Sequence, residues 1–239
     1  MEVIAFRWMA DYGHFSHPAT TYTSLTYPLP PKTVVAGLLG AIIGEDDYWQ
    51  LCDQFRYAVS LSFDYRTKKF SFNGVQKVLD NAMVKVDKKY VAQDASTRKQ
   101  FQRELICNPE YLIYLDLSEM SEAFKSRIIA YLQEHKAAYT PYMGINLCLC
   151  DYEWVEVQSV LKIEESQVSV TTMTRKEDFV FEMENGQRLT TAIMASRVDS
   201  ERHFGGFCEY IISLNPKSTI RTKNSGNIYA IDGQNYCFF

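Results

Sequence analysis

The residues with most chemistry to offer lie between Tyr12 and Lys32, in the stretch YGHFSHPATTYTSLTYPLPPK. His14 and His17 belong to the residue type whose ordinary charge change falls near neutral pH. With Lys32 and the Tyr27 hydroxyl they have the makings of metal-free acid–base chemistry of the ribonuclease kind. The same side chains are equally suited to hydrogen-bonding a phosphate or stacking on a base. The spacing names no nucleophile and no third partner. Both readings therefore stay open, with binding favoured over catalysis.

What must position these groups follows directly in the chain. Val34–Ile43 is apolar throughout, broken by Gly37 and Gly40, which predicts a buried helix. Pro28, Pro30 and Pro31 precede it, where a fixed φ and a missing N–H cost nothing. Thr33 is the expected N-cap and Gly44 the expected stop. A hydroxyl-rich loop is thus held at a helix N-terminus, whose free N–H groups suit a phosphate. An ordinary loop capping a core helix would look the same.

The remaining motifs narrow the chemistry by exclusion. The pairs Asp46-Asp47 and Glu164-Glu165 have no metal-like companions and read as solvated surface. No P-loop or GxGxxG is present. The six cysteines (Cys52, Cys107, Cys148, Cys150, Cys208, Cys237) lack zinc-ligand spacing and are expected to be reduced. No metal and no cofactor is expected.

The net charge of −4 hides a sharp asymmetry. Residues 66–103 hold ten Lys/Arg against Asp80, Asp87 and Asp94, a local +7, while the remainder of the chain is −11. A concentrated basic segment on an acidic body is what a local phosphate-binding surface gives, and also what a solvated insertion gives. The start of the chain lacks a basic n-region and no apolar run reaches membrane-spanning length, so a soluble, cytoplasmic protein is expected, with no membrane partner.

In order, the chain reads as follows. Met1–Met9 alternates as a strand, and Asp46–Phe55 forms a short helical piece. Tyr57–Tyr65 is a second strand. Residues 66–108 form a projecting basic hairpin with strand-like pieces at Phe70–Phe72 and Met83–Val86. Glu110–Leu117 is a strong strand. Asp116 or Ser118 then caps a helix to about His135, and Ile145–Val157 is a further strand that puts Cys148 and Cys150 on one face. This is an α+β class, a ferredoxin-like (RRM-like) βαββαβ domain over 1–157 with the hairpin inserted. The aromatic RNA-binding signature of RNA-recognition modules is absent, so this fold alone gives no function. Residues 158–239 form a smaller β-rich portion, with strands at Val168–Thr172, Phe179–Glu182, Tyr210–Leu214 and Ile228–Ile231, a hairpin turn at Asn185-Gly186, and a sharp loop at Phe204-Gly205-Gly206-Phe207.

Three stretches carry a resemblance. Gly13-His14-Phe15, Pro18 and the run Ser24 to Gly44 (SLTYPLPPKTVVAGLLGAIIG) closely resemble the N-terminal motif of the CRISPR-associated Cas family five, of the RAMP superfamily. Arg103-Glu104-Leu105 with Asn108-Pro109-Glu110-Tyr111-Leu112-Ile113-Tyr114, and Pro141-Tyr142-Met143-Gly144, support it. The flavour is that of the type I-B branch.

The resemblance implies a subunit of the type I interference complex, Cascade, serving antiviral defence. Its ferredoxin-like domain would hold the 5′ handle of the CRISPR RNA, and the basic hairpin would be a thumb parting bases at the handle–spacer border. His14, His17, Thr20, Thr21, Tyr22, Thr23, Ser24, Tyr27 and Lys32 would grip the handle, with Tyr22 and Tyr27 as stacking platforms. Lys85, Lys88, Lys89, Arg98, Lys99 and Arg103 would neutralise phosphates along the thumb. The implied partners are the CRISPR RNA, the large subunit and the backbone subunit, and target DNA indirectly. In the type I-C branch this subunit is itself a metal-independent endoribonuclease that processes precursor RNA. Its catalytic set includes a tyrosine near the position of Tyr27 and a Lys-His pair. Here the nearest likeness is His135-Lys136, in reversed order, so no catalytic residue is expected. A protein-binding β module without RNA is the remaining class, and the +7 segment is what it leaves unexplained.

Overall fold

The computed structural model describes residues 1–239 except 19, 21–22, 76–97, 183–184 and 217, and at 23, 75, 98 and 99 it describes backbone alone. A four-stranded antiparallel sheet forms the centre. Its strands are β1 (Val3–Ala10), β2 (Arg56–Leu61), β5 (Glu110–Asp116) and β6 (Cys150–Val155), in the spatial order β2-β5-β1-β6. Between β2 and β5 the chain runs out and back through β3 (Thr67–Val75) and β4 (Arg98–Cys107).

Both faces of the central sheet are covered along β2, β5 and most of β1, which are largely apolar on both sides, while Arg7 of β1 and Asp151 and Glu153 of the edge strand β6 stand exposed. Ile4, Phe6 and Trp8 of β1 face the helices α1 (Lys32–Ile43) and α2 (Glu122–Gln133) in one core. Ala5, with Ala58 and Tyr114, packs on Ile231, Tyr236 and Phe238 from the end of the chain. The main core also takes in Met173, Ala192, Met194, Val198, Tyr210 and Ile212, so the C-terminal strands share it. Phe239 closes the joint: its N–H donates to the Tyr57 carbonyl and its own carbonyl accepts from the Tyr57 N–H, both at 3.0 Å.

Helix α1 is buried along most of its length and ends on Gly44 at φ +71°, as the apolar run and the glycine predict. Its N-cap is Pro31, not Thr33: the Pro31 carbonyl accepts from Val34 and Val35, and Thr33 is buried in the first turn. Helix α2 is preceded by Ser121 rather than Asp116 or Ser118. Asp116 is instead occupied by Arg56 and by the Ser118 hydroxyl. Asp46–Phe55 reduces to a single 3-10 turn over Tyr48–Leu51.

Strand β6 starts at Cys150, not at Ile145. Residues 145–149 form a turn in which Met143 N–H reaches the Cys148 carbonyl at 2.7 Å. Cys148 is buried there while Leu147 and Leu149 stand exposed, so the Cys148–Cys150 alternation is a turn's and not a strand's. All six cysteines are free thiols.

In the C-terminal portion, Met173–Arg175 and Leu189–Met194 both pair with Cys208–Ser213. Asn185-Gly186 is a turn, yet the strands on either side of it pair with this third strand and not with each other. Phe179–Glu182 is not a strand; Phe179 makes a lone bridge to Thr222.

Candidate nucleic-acid interface

Strand β3 pairs antiparallel along its whole length with Arg98–Ile106 of β4, with Lys68 opposite Leu105, Phe70 opposite Arg103, Phe72 opposite Phe101 and Gly74 opposite Lys99. Strand alternation sorts this ribbon into two faces. Thr67, Lys69, Ser71 and Asn73 share one with Glu104, Gln102 and Gln100. The other carries Lys68, Phe70, Phe72, Phe101 and Arg103. On it Phe70 and Phe72 stack at 6.1 Å, and Phe72 and Phe101 at 5.6 Å, with planes within 25° of parallel. The Arg103 guanidinium lies over Phe72 at 5.5 Å, and the Lys68 ammonium over Tyr12 at 4.7 Å. Gly74 is required beneath this ladder: a Cβ there would meet the Phe101 ring at 2.6 Å.

The loop from Gly13 to Tyr27 is stitched to the ribbon's free edge. Tyr12–Gly13 pairs antiparallel with Ile106 and Cys107, and Thr23–Ser24 pairs parallel with Gln102 and Arg103. His14 fastens the two from within. Its Nδ1 lies 2.7 Å from the Glu104 carbonyl and its Nε2 3.0 Å from Ser24 Oγ. The ring is wholly inaccessible, and burial pushes its pKa down, opposed by the Glu104 hydrogen bond and reinforced by nearby Arg103. Glu104 also accepts from Thr26 N–H and the Thr67 hydroxyl. The third motif closes the knot: His14 N–H donates to Met143, and Gly144 sits where a Cβ would fall 2.0 Å from the His14 carbonyl. The three stretches that carry the family resemblance thus converge on one residue.

The expected site residues whose side chains are described have definite places. His14 is a structural clamp and offers no surface to a ligand, a correction forced by its burial. Tyr27 is likewise buried, its hydroxyl donating to the Ile193 carbonyl, so it is no stacking platform for a base. His17 packs on the Tyr27 ring at 4.5 Å. Thr20 braces the loop, its hydroxyl donating to the His17 carbonyl and accepting from Leu25 N–H. Ser24 is engaged by His14. Arg103 stands on the aromatic face.

Lys32 is not brought to this group. It lies in a separate cavity beside Asp53 and Arg197, its ammonium 5.2 Å from the Phe55 ring centroid. Burial lowers its pKa, Arg197 adds to the effect, and Cys52, Asp53 and Glu119 oppose it.

Thr23, Arg98 and Lys99 are placed by backbone alone, within the ribbon. Thr21, Tyr22, Lys85, Lys88, Lys89 and the strand-like piece at Met83–Val86 lie outside the described residues.

Phe70, Phe72, Phe101 and Lys68 did not stand out by residue type. The signal for Lys68, Phe70 and Phe72 is the two-residue alternation Lys68, Phe70, Phe72, Gly74; Phe101 joins them only through strand pairing. Among the described residues no cluster of His, Cys, Asp or Glu is arranged to hold a metal, and no helix is long and apolar enough to cross a membrane.

The fold is shared with chains of CRISPR complexes. A chain of a CRISPR RNA-guided surveillance complex aligns at TM-score 0.57 and 10% identity, over 94% of this chain and 92% of its own. A CRISPR protein from Archaeoglobus fulgidus aligns at 0.55 and 12%, over 98% of both chains. A chain of the type III-B Cmr-beta complex bound to cognate target RNA and AMPPnP aligns at 0.53 and 9%, over 91% of this chain and 86% of its own. At such identities the likeness is one of fold. No curated protein matches in sequence. The family model described as CRISPR-associated protein (Cas_Cas5) matches residues 3–206, and the chain belongs to that family.

Proposed function

We propose that the protein is a non-catalytic subunit of a type I CRISPR interference complex that binds and caps the 5′ handle of the CRISPR RNA. Family membership and a fold shared with chains of RNA-guided complexes support a place in such a complex. We read the strand order β2-β5-β1-β6, with two helices on one face, as a ferredoxin-like arrangement. On this reading the β3–β4 ribbon is the base of the thumb.

The observation that carries the RNA reading is the ribbon face itself. Aromatic rings interleaved with Lys68 and Arg103 form the surface on which single-stranded bases stack while cations neutralise the backbone. Exposed Phe70 is its accessible end. The large subunit, the backbone subunit and, through the complex, target DNA are the further partners, in the cytoplasm, and the motif character favours the type I-B branch.

A non-catalytic role is supported by what holds the two groups best suited to acid–base work. His14 has both ring nitrogens hydrogen-bonded inside the protein, and the Tyr27 hydroxyl is bound to a backbone carbonyl. The test is end-labelled RNA carrying the CRISPR repeat, incubated with the protein in EDTA. A gel shift without cleavage is expected. Cleavage at one site, abolished in Tyr27→Phe, would place the protein in the nuclease branch instead. Absence of any shift at low salt would overturn RNA binding by the isolated subunit.

A further inference from the structure

A cavity of about 240 Å³ lies at the start of α1, apart from the ribbon. Segments distant in sequence wall it: Lys32 opens α1, Arg175 ends a C-terminal strand, and Ser196, Arg197 and Gly206 belong to the turn-rich segment that holds the Phe204–Phe207 loop. That loop is pinned against the cavity. Ser196 Oγ donates to the Gly206 carbonyl at 3.0 Å, and Gly206, at φ +65°, leaves no room for a Cβ, which would fall 2.2 Å from Ser196 Oγ.

The charges around the cavity do not balance one another. Arg56 is taken by Asp116 and Arg197 by Asp53, at 3.0 Å for the latter. Lys32 has no ion pair within 4 Å and no hydrogen bond to its ammonium among the described residues; it rests on the Phe55 ring. Arg175 holds Glu177 only at 3.5 Å through Nη1, and its Nε–H is buried with no acceptor. Glu119 is the one lining acid that forms no ion pair within 4 Å among the described residues. Two cationic side chains therefore bring donor hydrogens without acceptors to the same cavity, the Lys32 ammonium and the Arg175 Nε–H, against a single unpaired carboxylate. Buried polar hydrogens without acceptors are costly, and charged ones most of all. An oxyanion with several lone pairs would meet both.

We propose that this cavity binds a phosphate group, held between the Lys32 ammonium and the Arg175 guanidinium. The volume is below the roughly 300 Å³ of the smallest drug-sized sites, so it admits a phosphate with a small substituent, or one phosphate of a longer chain. The site rests on the cavity's own charges and is independent of the ribbon's aromatic face.

The test is thermal unfolding of the full chain in chloride buffer, with and without inorganic phosphate at matched ionic strength. Wild type is expected to gain about 2–4 °C at phosphate well above its dissociation constant. Lys32→Met keeps the apolar stem over Phe55 and Arg175→Gln keeps a planar polar tip; both are expected to unfold cooperatively and to lose the gain. Lys32→Arg is expected to keep it. A parallel arm titrates repeat RNA against the same variants. A loss confined to the phosphate arm assigns a free phosphorylated ligand, and a matching loss of several-fold in RNA affinity assigns a backbone phosphate. The proposal is overturned if phosphate moves wild type and both variants equally, or if it moves none and RNA affinity is also unchanged.

Discussion

His14 bridges the Glu104 carbonyl and the Ser24 hydroxyl across 90 and 10 residues of sequence respectively. A carbonyl only accepts, so Nδ1 carries the proton. Burial lowers the ring's pKa, which keeps it neutral at pH 7, and in that form Nε2 receives the serine hydroxyl. The unfolded chain takes up a proton near the ordinary 6.5, while the folded chain resists it to lower pH. Stability is thus full above about 6.5 and falls as pH drops below it. Urea unfolding midpoints measured from pH 7.5 to 5 should show this slope. His14→Asn should flatten it, at a cost of about 1–3 kcal/mol for the partners left unmet. An equally steep slope in the variant would remove His14 as its source.

Gly144 makes a second, steric claim on the same loop. Its φ of +83° disfavours any L side chain, and a Cβ would sit 2.0 Å from the His14 carbonyl. Gly144→Ala should cost about 3 kcal/mol or more, since backbone strain and displacement of the clamp add. Gly186 has the same φ but nothing within 4 Å. Gly186→Ala should therefore cost about 1 kcal/mol, the strain alone. Comparing the two by thermal unfolding separates the close approach from the φ requirement; equal losses would refute it.

These residues also show what the sequence could and could not display. The central strands and α1 were legible because apolar runs, Gly44 and the prolines are local signals. One arm of the ribbon was legible at Phe70–Phe72, while its partner strand, Arg98–Cys107, was not. Legibility failed where a tertiary partner decides. Thr33 looks like a cap until Pro31 supplies the carbonyl. Ile145–Leu149 alternates like a strand until Met143 closes a turn on Cys148. His14 looks like a reactive group until Glu104, ninety residues away, claims one nitrogen. The Lys32 cavity joins residues from both ends of the chain, and no local pattern announces it.

Asp116 offers a test of electrostatics in the sheet. It is buried, and although desolvation alone would raise its pKa, the Ser118 and Arg56 hydrogen bonds outweigh that and lower it. Its contribution is present above the unfolded value near 3.8 and is lost as pH falls through the lower folded value. Arg56→Met should leave the carboxylate buried and unpaired, costing about 2–4 kcal/mol at pH 7. The double variant with Asp116→Asn should recover part of that loss. Additive losses in the double-mutant cycle would show that the pair is not coupled.

Phe70 decides what the ribbon face is for. Cross-strand aromatic pairs stabilise a ribbon by themselves, at roughly 0.2–1 kcal/mol each. If that were the ladder's whole role, Phe70→Ala would lower the unfolding midpoint and leave RNA affinity untouched. If bases stack there, the loss should fall on RNA, by about five- to a hundredfold in dissociation constant, the equivalent of about 1–3 kcal/mol per base. Phe70→Tyr should restore it and Phe70→Leu should not, because leucine keeps the apolar area without the π face. Phe70→Trp should add a fluorescence signal quenched on RNA binding. Arg103→Gln should instead reduce the slope of log affinity against log salt by about 1, the mark of one lost phosphate contact. Leucine performing as well as tyrosine would show that the face contributes area and not stacking.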